Sequence, residues 1–443
     1  MKHKSVVIFG GGLSGLISAN ICSHLGIDSI LIEKTNSLGG GNKSIKDKKG
    51  NIFDYGYHAL DYNRSLLTTK FFERVLKNNF HKFQLSRGIV IQNNLFPSNE
   101  LLPNWPIELK NLFKKKLSKD NVKEKLDFKS ISKVYGKKFT KLAFDEILKS
   151  YPSIDWSLKH GGKKEDFFGL VYPWFFPHNE KITTRKSEWE YFHDMMRQQS
   201  DHYVLYPKKN GFQGFVDAIL NDIDMNYCKI MKNVKNLKIN IDPKTKKFLN
   251  LDINGKTLSA NLYLWCNSPI SLAKILNLDI KTDKIGKPQK IIFGNFMFTK
   301  DVISNYHEIL VGSTQHKINR ISFPGKIRKT KNNLIQVEYS FPENQFELNP
   351  TFWKKTWLHS LQNIGLLKPD TLVKNFTFLS ETRGFVSKHD WNSLTNSYRK
   401  KILSSKGDNV IIPSFNLGPE NINRVVPDVM INTLNSLHHL TGV

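Results

Sequence analysis

Three glycines and one acid carry the plainest chemistry in this sequence. Gly10, Gly12 and Gly15 spell G-x-G-x-x-G, and Glu33 follows Gly15 by eighteen residues. Glycine at the first position permits a tight turn. At the second it lets a pyrophosphate reach the backbone, and at the third it lets a helix pack closely on a strand. A helix starting here aims free N–H groups and the positive end of its dipole at a phosphate. An acid at the end of the next strand accepts hydrogen bonds from ribose hydroxyls. A second glycine cluster, Gly39, Gly40 and Gly41, comes shortly after Glu33 and Lys34.

The elements that must position these groups are legible on either side. Val6 to Phe9 is an unbroken apolar run of strand formers. A helical pattern follows through Leu16, Ile17, Ala19, Asn20, Ile21 and Leu25 and stops at Gly26. Ser29 to Ile32 is a second apolar strand, ending in Glu33. Strand, glycine turn, helix, strand and acid together predict a dinucleotide-binding βαβ unit, with Leu13 and Ser14 opening its helix. A merely structural glycine turn leaves the acid unexplained.

An acid followed closely by a double glycine resembles the FAD-binding proteins of the amine oxidase, protoporphyrinogen oxidase and UDP-galactopyranose mutase superfamily, with the mutase-like branch nearest by motif. The resemblance implies FAD rather than NAD, with Gly39, Gly40 and Gly41 passing close to the ribityl and diphosphate part. GNIFDYGYHALDY, residues 50–62, resembles the superfamily's acid/Lys-Tyr-Gly-x-His segment, found soon after the double glycine. It implies that Gly56, Tyr57 and His58 approach the flavin ring, where His58 supplies a hydrogen bond or carries a proton. Read alone, His58 is a packed, hydrogen-bonded histidine. Tyr206-Pro207 with Gly211-Phe212 resembles the step by which these chains re-enter the FAD domain, although Lys-Lys-Asn-Gly replaces x-Gly-Gly. By the same resemblance, Val234 meets the adenine through its backbone.

HKINRISFPGK is similar to a mutase strand whose arginine holds a substrate diphosphate, which puts Arg320 in that role; the plainer reading is a surface ion pair. Glu338-Tyr339 resembles a Glu-Tyr on the following strand. At the C-terminus a strand over Asn409 to Ile412, a turn, and a helix beginning near Glu420 resemble the segment that closes the flavin site. Asn416, Gly418, Asn421 and Ile422 are the implied flavin-side residues. Here the sequence departs from the mutases, which carry Gly-Arg-Leu where this chain has Phe415-Asn416-Leu417-Gly418.

The chain has 443 residues, enough for two or three domains, and is 39% hydrophobic and 12% aromatic, so it is globular. Lysine and arginine number 66 against 39 acids, a net charge of +27. The surplus fits an anionic substrate, an acidic membrane surface, nucleic acid, or simply a solvated lysine-rich surface. No nucleic-acid-binding motif is recognisable, so no nucleic-acid partner is expected. Cys22, Cys228 and Cys266 stand singly, without a metal or disulfide pattern, which suits a reducing, cytoplasmic setting. No apolar run is long enough to span a bilayer, which leaves peripheral membrane contact open. No metal is expected, and the oligomeric state is left undetermined.

Elsewhere the periodicity predicts a helix over Leu66 to Phe80, a hairpin turning at Asn93-Asn94, lysine-rich helices over 107–150, and a run of strands over 291–342. The aromatic stretch 167–177 reads as core or as the lining of a pocket. The expected fold class is α/β: a Rossmann-like FAD domain assembled from 1–75, 203–275 and 405–443, and a mixed-sheet and helical substrate domain from 76–202 and 276–404. The expected activity is an FAD-dependent oxidoreductase passing hydride from a small, anionic, sugar-nucleotide or otherwise phosphorylated substrate to flavin N5. The alternative is a non-redox mutase acting on a nucleotide sugar with reduced FAD.

Overall fold

The computed structural model describes residues 5–56, 60–62, 65–91, 93–97, 148–162, 203–281, 286–387, 391–415 and 422–441. The fold is α/β, and the chain divides into two units, one built from Met1–Lys82, Leu205–Thr282 and Trp391–Val443, the other from Phe83–Val204 and Asp283–Asp390. The bounds drawn from the sequence differ most at the helix Trp391–Ser405, whose Ile402 lies in the core of the first unit.

The first unit is organised by a five-stranded sheet in the order Cys228–Met231, Asp28–Ile32, Ser5–Phe9, Leu262–Trp265, Val410–Ile411. Every neighbour pair in it is parallel. Parallel strands are covered on both faces, which is why these read as continuous apolar runs rather than alternations. Val7 and Phe9 face a three-stranded antiparallel layer, Leu237–Ile241, Phe248–Ile253 and Lys256–Leu258, and Phe9 packs on Phe248, Tyr263 and Trp265. On the opposite face lies the helix Leu13–His24, with the C-terminal helix Ile422–Thr441 against it; Ser18 and Thr433 hydroxyls meet at 3.0 Å in that contact.

The helix expected over Leu66 to Phe80 spans Leu66–Leu76. Ser65 caps its start, accepting from the Thr68 N–H at 3.3 Å. Lys77 and Asn78 then take left-handed backbone angles, which end it, and Phe80–Gln84 is a strand.

The second unit centres on a seven-stranded sheet in the order Val373–Ser387, Gly286–Phe298, Leu334–Pro342, Arg320–Ser322, Glu308–Val311, Arg87–Ile91, Asn94–Pro97. Only the pairing of Glu308–Val311 with Arg87–Ile91 is parallel. The hairpin expected to turn at Asn93-Asn94 is there, but Asn94 already belongs to the returning strand, opposite Ile91. One face of the sheet is apolar and takes the helix Pro350–Asn363. Trp353 and Trp357, one turn apart on that helix, are both fully buried. Gly294 leaves room for the second: a β-carbon there would stand 2.4 Å from the Trp357 ring. The expectations for 107–147 and for the aromatic stretch 167–177 lie outside the described residues.

Candidate functional site

The three glycines of the first turn do three different physical jobs. Gly10 has φ +102°, a conformation that side chains rarely adopt, and a β-carbon there would collide with Asn267 Oδ1 at 2.3 Å. Gly15 lies under the carbonyl of Gly10, 1.9 Å from where its β-carbon would be, so helix and strand approach as closely as backbone allows. Gly12 is the opposite case. Among the described residues, a β-carbon there would meet nothing within 4 Å. The open side of Gly12 sits at the helix N-cap, which no side chain caps, and no acid lies in the first turn, formed by Leu13 and Ser14 onward. The first-turn N–H groups and the positive end of the helix dipole border that space.

The second glycine cluster folds against the first. Gly39 bridges to Gly12, and its N–H donates to the Gly11 carbonyl at 2.7 Å. Gly39 and Gly40 both have positive φ, at 106° and 60°. A β-carbon on Gly40 would stand 3.3 Å from Gly12 Cα. Asn42 N–H closes the turn onto the Gly39 carbonyl at 2.9 Å, with Gly41 half-buried inside it. Two glycine segments thus form a backbone-walled cradle that side chains would fill, and it suits a pyrophosphate.

Glu33 stands at the rim, half-buried. One carboxylate oxygen accepts from Gly11 N–H at 2.7 Å, and the other from the Thr35 N–H and hydroxyl, each at 2.8 Å. Gly11 has room only for this contact, since a β-carbon there would press on Leu38 and Glu33. A carboxylate accepts about four hydrogen bonds, so these contacts do not use its whole capacity. Val234 is brought alongside: its N–H donates to the Glu33 carbonyl at 3.0 Å. Lys34 is exposed. Gly56 is buried with φ +87°. Tyr57, His58, Asn416, Gly418 and Asn421 lie outside the described residues, and Ile422 is the first residue of the C-terminal helix.

The acid that opens the Tyr-Gly-x-His segment, Asp54, is a buried carboxylate that supports the approach to Gly56. Asp54 is 7% exposed. It accepts from Tyr206 OH at 2.5 Å, Phe212 N–H at 2.8 Å and Ser44 Oγ at 2.6 Å. Ser44 Oγ in turn accepts from the N–H of Gln213, the first residue of the helix Gln213–Asp222. The Tyr206-Pro207 to Gly211 stretch is therefore tied to residues 44–54. Gly211 is needed for that approach, because a β-carbon would lie 2.6 Å from Asp54 Oδ1.

In the second unit, Arg320 stands directly opposite Glu338 in the ladder, with Nη2 2.7 Å and Nε 3.2 Å from one carboxylate oxygen. This is an ion pair, as in the plainer reading, but a part-buried one, with side-chain exposures of 25% and 16%. Burial opposes the charge on Arg320, but Glu338 and Glu308 outweigh it and raise the pKa. In the row beside it, Arg87, Glu308, Ser322, Gln336, Asn295 and Thr377 lie in register across six strands. Arg87 Nε donates to Glu308 at 2.6 Å, Gln336 to Asn295 at 2.8 Å and Asn295 to Thr377 at 3.3 Å. This polar row is on the face opposite the tryptophans. Buried Tyr151 lies within electrostatic reach of both ion pairs, and burial raises its pKa.

Among the described residues no group of His, Cys, Asp and Glu is arranged to hold a metal, and no helix is long and apolar enough to cross a membrane. Cys22 and Cys228 are buried; burial raises both thiol pKa values, most strongly for Cys22, which fits core packing rather than reactivity.

Residues 8–75 match the model of the NAD(P)-binding Rossmann-like domain family. No curated protein matches the chain by sequence. Solved structures resemble it over nearly its whole length. A reduced UDP-galactopyranose mutase is 13% identical with a TM-score of 0.65, covering 99% of this chain and 96% of its own. A candidate protoporphyrinogen oxidase from Exiguobacterium sp. 255-15 is 13% identical with a TM-score of 0.68, covering 99% and 100%. A fatty acid isomerase of P. acnes that produces CLA is 12% identical with a TM-score of 0.62, covering 100% of both chains. The first two are of the kinds that the sequence motifs resemble, and this chain has the fold they share.

Proposed function

We infer that this chain is a flavoenzyme that binds FAD, and that it is an oxidoreductase acting on a small substrate. The observation that carries the reading is the double glycine cradle, with Gly12 open to the helix N-terminus and Gly39-Gly40 folded onto it. A single glycine turn serves any dinucleotide. The second segment, stacked on the first, is what the FAD reading needs and what an NAD site does without. Bound FAD would supply the hydride acceptor, at N5. The chain's own groups then divide the work. Gly12, Leu13 and Ser14 present N–H groups to the diphosphate, Glu33 orients the ribose, and Val234 borders the adenine. Gly56, Tyr57, His58 and the start of the C-terminal helix are assigned to the ring, with His58 holding or moving a proton. Arg320 and the sheet around it belong to the substrate domain.

The finer expectation, an anionic and perhaps sugar-nucleotide substrate, rests on the net charge of +27 and on Arg320. The mutase alternative draws on the same arginine and on the shared fold; the Phe415-Asn416-Leu417-Gly418 turn, in place of Gly-Arg-Leu, favours the oxidoreductase. Buried, unpaired thiols fit a cytoplasmic setting. A yellow protein releasing FAD on denaturation is the first expected result, and a colourless chain that fails to take up FAD would overturn the assignment. An anaerobic screen for substrates that bleach the flavin then tests the oxidoreductase. Ring isomerisation of a UDP-sugar by the reduced protein, with no reoxidation, would instead select the mutase.

A further inference from the structure

The basic composition and Arg320 point together towards an anion, yet Arg320 and its neighbour Arg87 already face carboxylates. Arg320 faces Glu338, and Arg87 is ion-paired with Glu308, which is 2% exposed. Residues opposite one another in a ladder, and residues two apart along a strand, point to the same side. Both pairs therefore share one face. Glu308 also contributes to the field at Arg320. A ligand phosphate brought to Arg320 meets the Glu338 carboxylate in the same place. It gains little from a compensated guanidinium, or it displaces Glu338 and strands a part-buried carboxylate without its cation, which is costly. Neutral donors and acceptors meet no such conflict: hydroxyl and carbonyl groups add hydrogen bonds to the pair without breaking it.

We propose that Glu338 determines the charge class of the ligand: by occupying Arg320 it excludes phosphate and carboxylate groups and leaves this face to an uncharged hydroxyl- or carbonyl-bearing group. The proposal rests on the reading that this sheet belongs to the substrate domain of a flavoenzyme, and it amends the expectation of an anionic substrate. Calorimetric titration with inorganic pyrophosphate tests it, using the FAD-loaded protein so that the glycine cradle is filled. Wild type and Arg320→Gln are expected to bind pyrophosphate equally weakly. Glu338→Gln, which keeps a hydrogen-bonding partner but removes the charge, is expected to gain affinity by about tenfold or more, and adding Arg320→Gln should abolish the gain. Absence of that gain overturns the proposal. So does wild-type binding that Arg320→Gln alone removes, a comparison that holds even where Glu338→Gln fails to fold. Failure of the chain to bind FAD sinks the flavoenzyme reading separately; the same titrations on the apo chain, with Arg320→Gln as reference, still decide whether Glu338 blocks the anion.

Discussion

The carbonyl oxygen of Gly10 lies 1.9 Å from the point where a β-carbon on residue 15 would stand, while a β-carbon on residue 12 would touch nothing among the described residues. Two glycines three residues apart therefore differ in kind: one is required by the fold, and the other is the one our FAD proposal assigns to a ligand. Gly15→Ala has to push the helix off the strand and should cost about 1–3 kcal/mol in urea unfolding. Gly12→Ala, at φ −75°, suits the backbone and should leave stability within about 0.5 kcal/mol. It should still weaken FAD binding by about tenfold or more, because the methyl group stands where the diphosphate would lie. A Gly12→Ala protein that retains FAD at wild-type affinity would refute the cradle.

Asp54 and Tyr206 form a second testable pair. Their hydrogen bond is buried and joins residues 152 apart in sequence. Tyr206→Phe leaves one lone pair of a buried carboxylate unsatisfied and should cost about 1–3 kcal/mol in thermal or urea unfolding. Asp54→Ala removes the acceptor of the Tyr206, Phe212 and Ser44 donors together and should cost more. Because Asp54 anchors the segment two residues before Gly56, fluorescence of bound flavin should change in Asp54→Asn even where the fold survives.

The first forty residues were legible because everything in them is local. Apolar runs, glycine spacing and a terminal acid are set by neighbours in the chain, and the structure places them within a few residues of expectation. The bonds that join Asp54, Ser44 and Tyr206 were not legible, although Asp54 and Tyr206 both stand in recognisable motifs, because the partners are distant in sequence and the pairing has no periodic signature. Arg320 shows the same limit in another form. Its strand and the following Glu338 strand could be read from alternation, but the register that sets Arg320 opposite Glu338 could not, and register decides whether the guanidinium is free for a phosphate. The polar row from Arg87 to Thr377 draws on six strands, and no window of sequence contains it.

Glu308 should be the most consequential carboxylate of that row. Arg87 is its ion-pair partner, and Glu308 is almost wholly enclosed. Arg87→Met leaves a buried charge without its cation and should cost about 3–5 kcal/mol, whereas Arg87→Met with Glu308→Leu should recover most of that loss. A double variant as unstable as the single one would show that the packing of Arg87, and not its charge, holds the sheet edge.

His307 gives the fold a pH dependence of definite sign. Its Nδ1 accepts from the Ser86 N–H at 3.0 Å, which requires that nitrogen to be unprotonated. Burial, and then the nearby Lys326, lower its pKa from 6.5 to about 4, while Glu308 works in the other direction. The unfolded chain therefore binds a proton between these values that the folded chain refuses. Stability from this residue is complete above about pH 6.5 and is lost as pH falls towards 4, by about 2–3 kcal/mol. His307→Gln removes the titration. Urea unfolding from pH 7.5 to 4.5 should show a steeper loss in wild type than in the variant over that window, and parallel curves would show that His307 is protonated in the folded protein.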